Sequence, residues 1–208
     1  MPPLRSVDTV RRLPQVCLGL GLLGVGIAAM VLADLGLGPW DVLHQGVADR
    51  TGIPLGTVTI VVGALVMLAW IPLREPPGVG TLLNLVLVGV VVDAVLASVE
   101  PPGAVTVRVA GAVVGPVLMG IGSALYIGGG LGPGPRDGLM TAIVRRGRSV
   151  QVVRTALELA AMGAGFALGG TVGVATAWQA VSIGPLIHLL LPHLTFDREP
   201  QPTAFEVE

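Results

Sequence analysis

The sequence repeats itself, and the repeat restricts the architecture more than any other feature. Residues 19–43 align with residues 115–139 at an offset of 96, and eleven of the 25 positions are identical. Among them are Gly19/Gly115, Gly24/Gly120, Gly26/Gly122, Leu35/Leu131, Gly36/Gly132, Gly38/Gly134, Pro39/Pro135 and Asp41/Asp137. The likeness returns downstream at offset 95, where Gly78, Val79, Thr81, Val86, Gly89 and Leu96 match Gly173, Val174, Thr176, Val181, Gly184 and Leu191. In the same register Asn84 pairs with Gln179, and Asp93 with His188. A repeat is read first because each copy is a structural unit.

Each copy holds three apolar stretches. Charged residues make up 12% of the chain and apolar residues 52%, against about a quarter charged in soluble domains. Runs of 18 or more apolar residues read as spanning helices. The pattern predicts spans at roughly 14–34, 54–72, 79–99, 105–128, 150–169 and 172–192. Residues 1–13 and 193–208 are expected as short tails around one membrane domain, with repeats at 14–99 and 105–192. An odd number of crossings per copy turns the second copy over, as in many transporters. The expected fold is all-α: a polytopic membrane protein with six transmembrane helices as a 3+3 inverted-topology repeat, and two short interfacial or re-entrant helices. The first apolar run follows Arg5, Arg11 and Arg12 and ends near Val31-Leu32-Ala33, so it resembles a signal peptide. Its length and its match to residues 115–130 favour a retained span.

All twelve basic residues are arginines. With the N-terminus inside, Arg5, Arg11, Arg12, Arg74, Arg136, Arg145, Arg146, Arg148 and Arg198 fall on the cytoplasmic side, and Arg50 is the clear exterior exception. The positive-inside rule therefore predicts that both termini are cytoplasmic. Partners expected are the lipid bilayer, a small solute or ion, and a second copy or a cytoplasmic protein docked at Arg145, Arg146 and Arg148. The net charge of −1 gives no reason to expect nucleic acid. Cys17 is the single cysteine, which rules out an internal disulfide and a cysteine metal cluster. Neither a cofactor nor a metal site is expected. Phosphate-loop, Gly-x-Ser-x-Gly and His-Glu-x-x-His motifs are absent, so an enzyme is not expected.

Two segments carry the main functional interest. Gly36-Leu37-Gly38-Pro39-Trp40-Asp41 and Gly132-Pro133-Gly134-Pro135-Arg136-Asp137 each precede a short helix-compatible stretch, at 41–49 and 137–146. Gly closes one helix, Pro opens the next, and Asp at the third position suits the positive helix end. Interrupted segments at matched places in two repeats also point to a transport site. Polar residues inside spans are costly in lipid and usually face a cavity or a partner. Asn84, Gln179, Asp93 and His188 are therefore pathway candidates beside Asp41 and Asp137. Asp93 alternatively reads as an outer-boundary carboxylate, and His188 as an interfacial histidine. Arg154 and Glu158 stand four apart on one helix face; they suit an ion pair that locks the helix or, as further pathway candidates, part of a charged cavity. Asp41 and His44 share a face of the first short helix. The glycines Gly19, Gly21, Gly24, Gly26, Gly115, Gly120, Gly122, Gly163 and Gly165 read as packing surfaces. Trp40, Trp70, Trp178 and Tyr126 read as interfacial aromatics.

The segment 35–60, with its Trp-Asp turn and later Thr51-Gly52 and Gly56-Thr57, resembles the YczE/YitT group of bacterial membrane proteins. The likeness continues through Gly78-Val79-Gly80-Thr81, Asn84, Gly132–Asp137 and Arg154/Glu158, covering roughly residues 15–192. It implies a multi-span bacterial inner membrane protein. In the second turn Arg136 stands where the first has Trp40. The combined expectation is a secondary-transporter-like permease; the alternative is a non-transporting accessory protein that docks a cytoplasmic partner.

Overall fold

A computed structural model describes residues 6–196. Arg5, Arg198 and most of the expected C-terminal tail lie outside the described residues. Regular structure among these residues is wholly helical: α1 Ser6–Ala33, α2 Pro39–Thr51, α3 Leu55–Leu68, α4 Trp70–Leu73, α5 Val79–Ser98, α6 Val105–Gly128, α7 Pro135–Val144, α8 Val150–Ala167 and α9 Val174–Leu194. Five stretches are long and apolar enough to cross a membrane: Thr9–Ala33, Leu55–Leu73, Val79–Ser98, Val105–Gly128 and Val174–Leu194. The second of these joins α3 and α4. The helix expected as a sixth span forms as α8, but it is not among the five. Its 18 residues include Arg154 and Glu158, and at 1.5 Å per residue it reaches only ~27 Å.

α1 and α6 run antiparallel at close range. A Cβ on Gly19 would lie 2.6 Å from the Gly122 carbonyl oxygen, and one on Gly26 would lie 2.6 Å from that of Gly115. With no hydrophobic drive between helices in lipid, this close approach takes its place. Gly24 receives Val91 of α5, and Gly120 receives Leu186 of α9. These contacts come in matched pairs: each joins residues whose repeat equivalents also touch. Two expected packing glycines do not pack, since Gly21 and Gly163 have nothing within 4 Å of a built Cβ. Leu65, Ile71, Val105, Phe166 and Val174 point outward, where lipid accommodates an apolar surface that water would penalise.

The short helices begin two residues earlier than expected because Pro39 and Pro135 take the first helical position, with Gly38 and Gly134 as N-caps. Gly36 (φ +116°) and Gly132 (φ +122°) reverse the chain before them, a conformation that a side chain disfavours. α2 lies along α8, and α7 lies against α3 and α4. α3 is antiparallel to α5, with Gly56 against Gly89 and Gly63 against Leu85. His44 of α2 reaches Thr59, while Pro135 of α7 lies near Gly63. α2 therefore lies beside the first half of the span Leu55–Leu73, and the start of α7 beside its middle.

Candidate functional site between two helix starts

Backbone hydrogen bonding holds the two turns in place. Leu131 O accepts from Gly80 N at 2.7 Å, and Leu35 O accepts from Ala175 N at 3.0 Å. Thr81 Oγ1 accepts from Gly78 N, and Thr176 Oγ1 from Gly173 N, each at 3.1 Å. The second turn is clamped further by side chains. Thr81 donates to Pro133 O at 2.7 Å, Tyr126 to Gly132 O at 2.7 Å, and Trp70 to Pro135 O at 3.1 Å. Trp70 and Tyr126 are buried at 2% and 3% exposure, so the interfacial role expected of them is corrected. Their polar tips satisfy carbonyls that the turn leaves open. The first turn is tied down by Leu37 N donating to Thr171 O at 3.1 Å and Thr171 N donating to Gln45 Oε1 at 2.7 Å.

The starts of α2 and α7 meet. The Arg136 guanidinium lies over the Trp40 ring, 5.3 Å from its centre, at a distance where the ring quadrupole attracts a cation. Arg136 Nη2 is also 3.5 Å from Asp41 Oδ1. Asp41 Oδ1 lies 3.7 Å from His44 Nδ1, so the two share the helix face that their spacing predicts. Thr59 Oγ1 lies 3.1 Å from His44 Nδ1 and 3.0 Å from Leu55 O, to which it can donate. The expectation that Asp41 caps α2 is corrected: α2 has no side-chain cap bond, and Asp41 Oδ1 has no hydrogen-bond partner.

Gln179 and Asn84 stand behind the two N-caps. A Cβ on Gly38 would collide with the Gln179 amide, and one on Gly134 would lie 3.5 Å from that of Asn84. Gln179 is buried, and its Oε1 has no hydrogen-bond partner. Asn84 is half-buried, and Asp137 keeps exposed surface although much of the protein lies around its carboxyl. α2 and α7 are too short to span, and their ionisable groups feel this setting. Burial opposes the Asp41 charge, but His44 and Arg136 prevail and hold the carboxyl below its ordinary range. His44 is moved down, chiefly by burial, and Arg136 adds to that. Asp137 is moved up by the surrounding protein, against the pull of Arg136 and Arg154.

Other sequence candidates lie elsewhere. Asp93 of α5 accepts from Gly56 N at 2.6 Å, Thr57 N at 2.8 Å and Thr57 Oγ1 at 2.8 Å. It caps α3 from a neighbouring helix. His188 is on an exposed face of α9. Arg154 and Glu158 form their ion pair at 2.9 Å, with side chains 61% and 39% exposed. Sequence reasoning missed Arg136 as a site residue and the clamping roles of Trp70, Tyr126 and Thr81. The available signal was that position 136 is the repeat equivalent of Trp40.

Five long apolar helices, with two half-length helices whose starts meet at a charged centre, define a polytopic helical membrane protein. The chain belongs to the family described as "Family of unknown function (DUF6198)", which it matches over residues 10–192. It is 39% identical over 186 residues to an "Uncharacterized protein" of Haemophilus influenzae, covering 86% of this chain and 85% of that one. It is 34% identical over 177 residues to the "Uncharacterized membrane protein YczE" of Bacillus subtilis, with 84% and 82% covered. YyaS of the same organism is 24% identical over 181 residues, with 84% and 90% covered. The expected likeness to YczE is thus shown. No solved structure matches the chain.

Proposed function

We propose that this protein is a secondary-transporter-like permease for a small solute or ion, built from two inverted halves of a bacterial inner membrane domain. Its central site lies between the starts of α2 and α7, which dip part-way into the bilayer. Trp40 and Arg136 carry this reading. They occupy equivalent positions, 96 residues apart, and they touch. A residue meets its own equivalent only beside the axis that relates the halves. The matched contacts of Gly19, Gly24 and Gly26 with those of Gly115, Gly120 and Gly122 support the same axis. Interrupted helices that meet at the repeat interface are the usual place for a transported solute. Both termini are read as cytoplasmic, and the mechanism includes no catalytic step.

The test is flux of a panel of small solutes into proteoliposomes. Asp41→Asn and Arg136→Gln should each lower it at least tenfold, whereas Glu158→Gln, in the partly exposed pair with Arg154, should leave it within about twofold. Full flux in both central variants would remove the site from the mechanism. The accessory reading would place docking at Arg145, Arg146 and Arg148. Two of these already serve the chain itself: Arg145 pairs with Glu75 at 2.7 Å, and Arg146 donates to Ala142 O and Pro72 O. Absence of flux from every variant, with cellular function lost on mutating these arginines and kept in the central variants, would favour docking.

A further inference from the structure

The start of α2 presents hydrogen-bond acceptors that lack donors. Asp41 Oδ1 and Gln179 Oε1 have no hydrogen-bond partner, although the Asp41 side chain is 5% exposed and Gln179 is 8% exposed. Native interiors rarely leave such groups unpaired, and each exception calls for an explanation. Beside them the face of Trp40 already holds a cation, the Arg136 guanidinium, at 5.3 Å. That guanidinium fits imperfectly. Its 3.5 Å approach to Asp41 exceeds the ~2.7–2.9 Å of a good charge-assisted bond, and its side chain is 34% exposed. An aromatic face, a buried carboxylate and an amide oxygen together suit a compact, donor-rich cation.

Resting on the permease reading, we propose that this site takes a small organic cation of the guanidinium or alkylammonium class, and that Arg136 occupies the same ground as a tethered competitor. An anion fits poorly, because it would meet the Asp41 carboxylate and the Gln179 amide oxygen. The positive end of α2 does not reverse this, since Asp41 stands at its third position and offsets it. His44 Nδ1 lies 3.7 Å from Asp41 Oδ1, beyond hydrogen-bond distance, and 3.1 Å from Thr59 Oγ1. A bare metal ion is disfavoured as well: among the described residues no three His, Cys, Asp or Glu side chains gather as ligands.

Purified full-length protein, in detergent and in proteoliposomes, is tested with labelled guanidinium and methylammonium, using labelled phosphate as the anionic comparison. Equilibrium dialysis should show saturable cation binding, and vesicles should take up the same cation. Arg136→Ala should tighten binding about tenfold if Arg136 holds the site nine-tenths of the time. Asp41→Asn should weaken binding at least tenfold, and Trp40→Leu should weaken it where Trp40→Phe does not. The paired Trp40 variants keep the test decisive if Asp41→Asn does not fold. Cation binding absent from both wild type and Arg136→Ala overturns the inference. Saturable phosphate binding and uptake in place of cations overturns it and leaves the permease standing. Cation binding that depends on Asp41, without uptake, supports the site and overturns the permease.

Discussion

Asp93 lies on α5, yet its main bonds are to another helix. Its carboxylate takes two backbone N–H groups and a hydroxyl at the start of α3. The α3 N-cap itself is Pro54, which has no side-chain acceptor, so the carboxylate supplies what an Asp or Ser cap would. Asp93→Ala should destabilise the protein by ~1–3 kcal/mol, because it leaves those donors unpaired. Thermal unfolding in detergent should show the fall, with Thr57→Ala losing less. An unchanged midpoint for Asp93→Ala would contradict the cap. The residue type and its depth in an apolar span were legible in the sequence, but its partner was not. Gly56 and Asp93 are 37 residues apart, and no local pattern links them. Trp70 and Tyr126 were misjudged for the same reason: composition places an aromatic near an interface but does not show which carbonyl it clamps.

At the scale of the helix pair, small residues divide into two kinds. Gly26 of α1 is packed against Gly115 O and Met119, while Gly21 on the same helix faces open space. A helical stripe of Gly19, Gly21, Gly24 and Gly26 cannot be sorted from spacing alone, because two positions apart on a helix do not share a face. The structure sorts them, and the sorting is testable. Gly26→Val forces the α1 and α6 backbones apart and should cost several kcal/mol, the range of severe overpacking. Gly21→Ala should be neutral or stabilising by up to ~1 kcal/mol, since alanine favours the helix. A midpoint series on the two variants in detergent checks this; equal loss in both would show that the contact assignment is wrong. The elements themselves were well marked. Pro at the first position and Gly before it announced α2 and α7, and apolar length announced α1, α3, α5, α6 and α9. α8 was marked by position in the repeat more than by composition, which is why its two charges leave it short of the other spans.

For the molecule as a whole, the two halves share residues but not exposure. Asp41 and Gln179 are buried at 3% and 8%, whereas their repeat equivalents Asp137 and Asn84 are open and half-buried. The contacts differ in the same sense: α3 packs tightly on α5 through Gly56 and Gly89, but Gly184, the equivalent of Gly89, meets nothing within 4 Å. On the permease proposed above, two copies that hold one sequence pattern in different environments would exchange arrangements in turn, as alternating access requires. The repeat was legible in the sequence; the inequality was not, because it is a property of packing between halves. It predicts one-sided access. Cys17 is the only cysteine, so Cys17→Ser gives a background for single-cysteine labelling. In oriented membranes an impermeant thiol reagent should modify Asp137→Cys and Asn84→Cys readily from the side carrying Arg145–Arg148. Asp41→Cys and Gln179→Cys should react far more slowly, and then from the opposite side. If all four react alike, or if both pairs open to the same side, the halves do not exchange and the turns form a fixed structural joint.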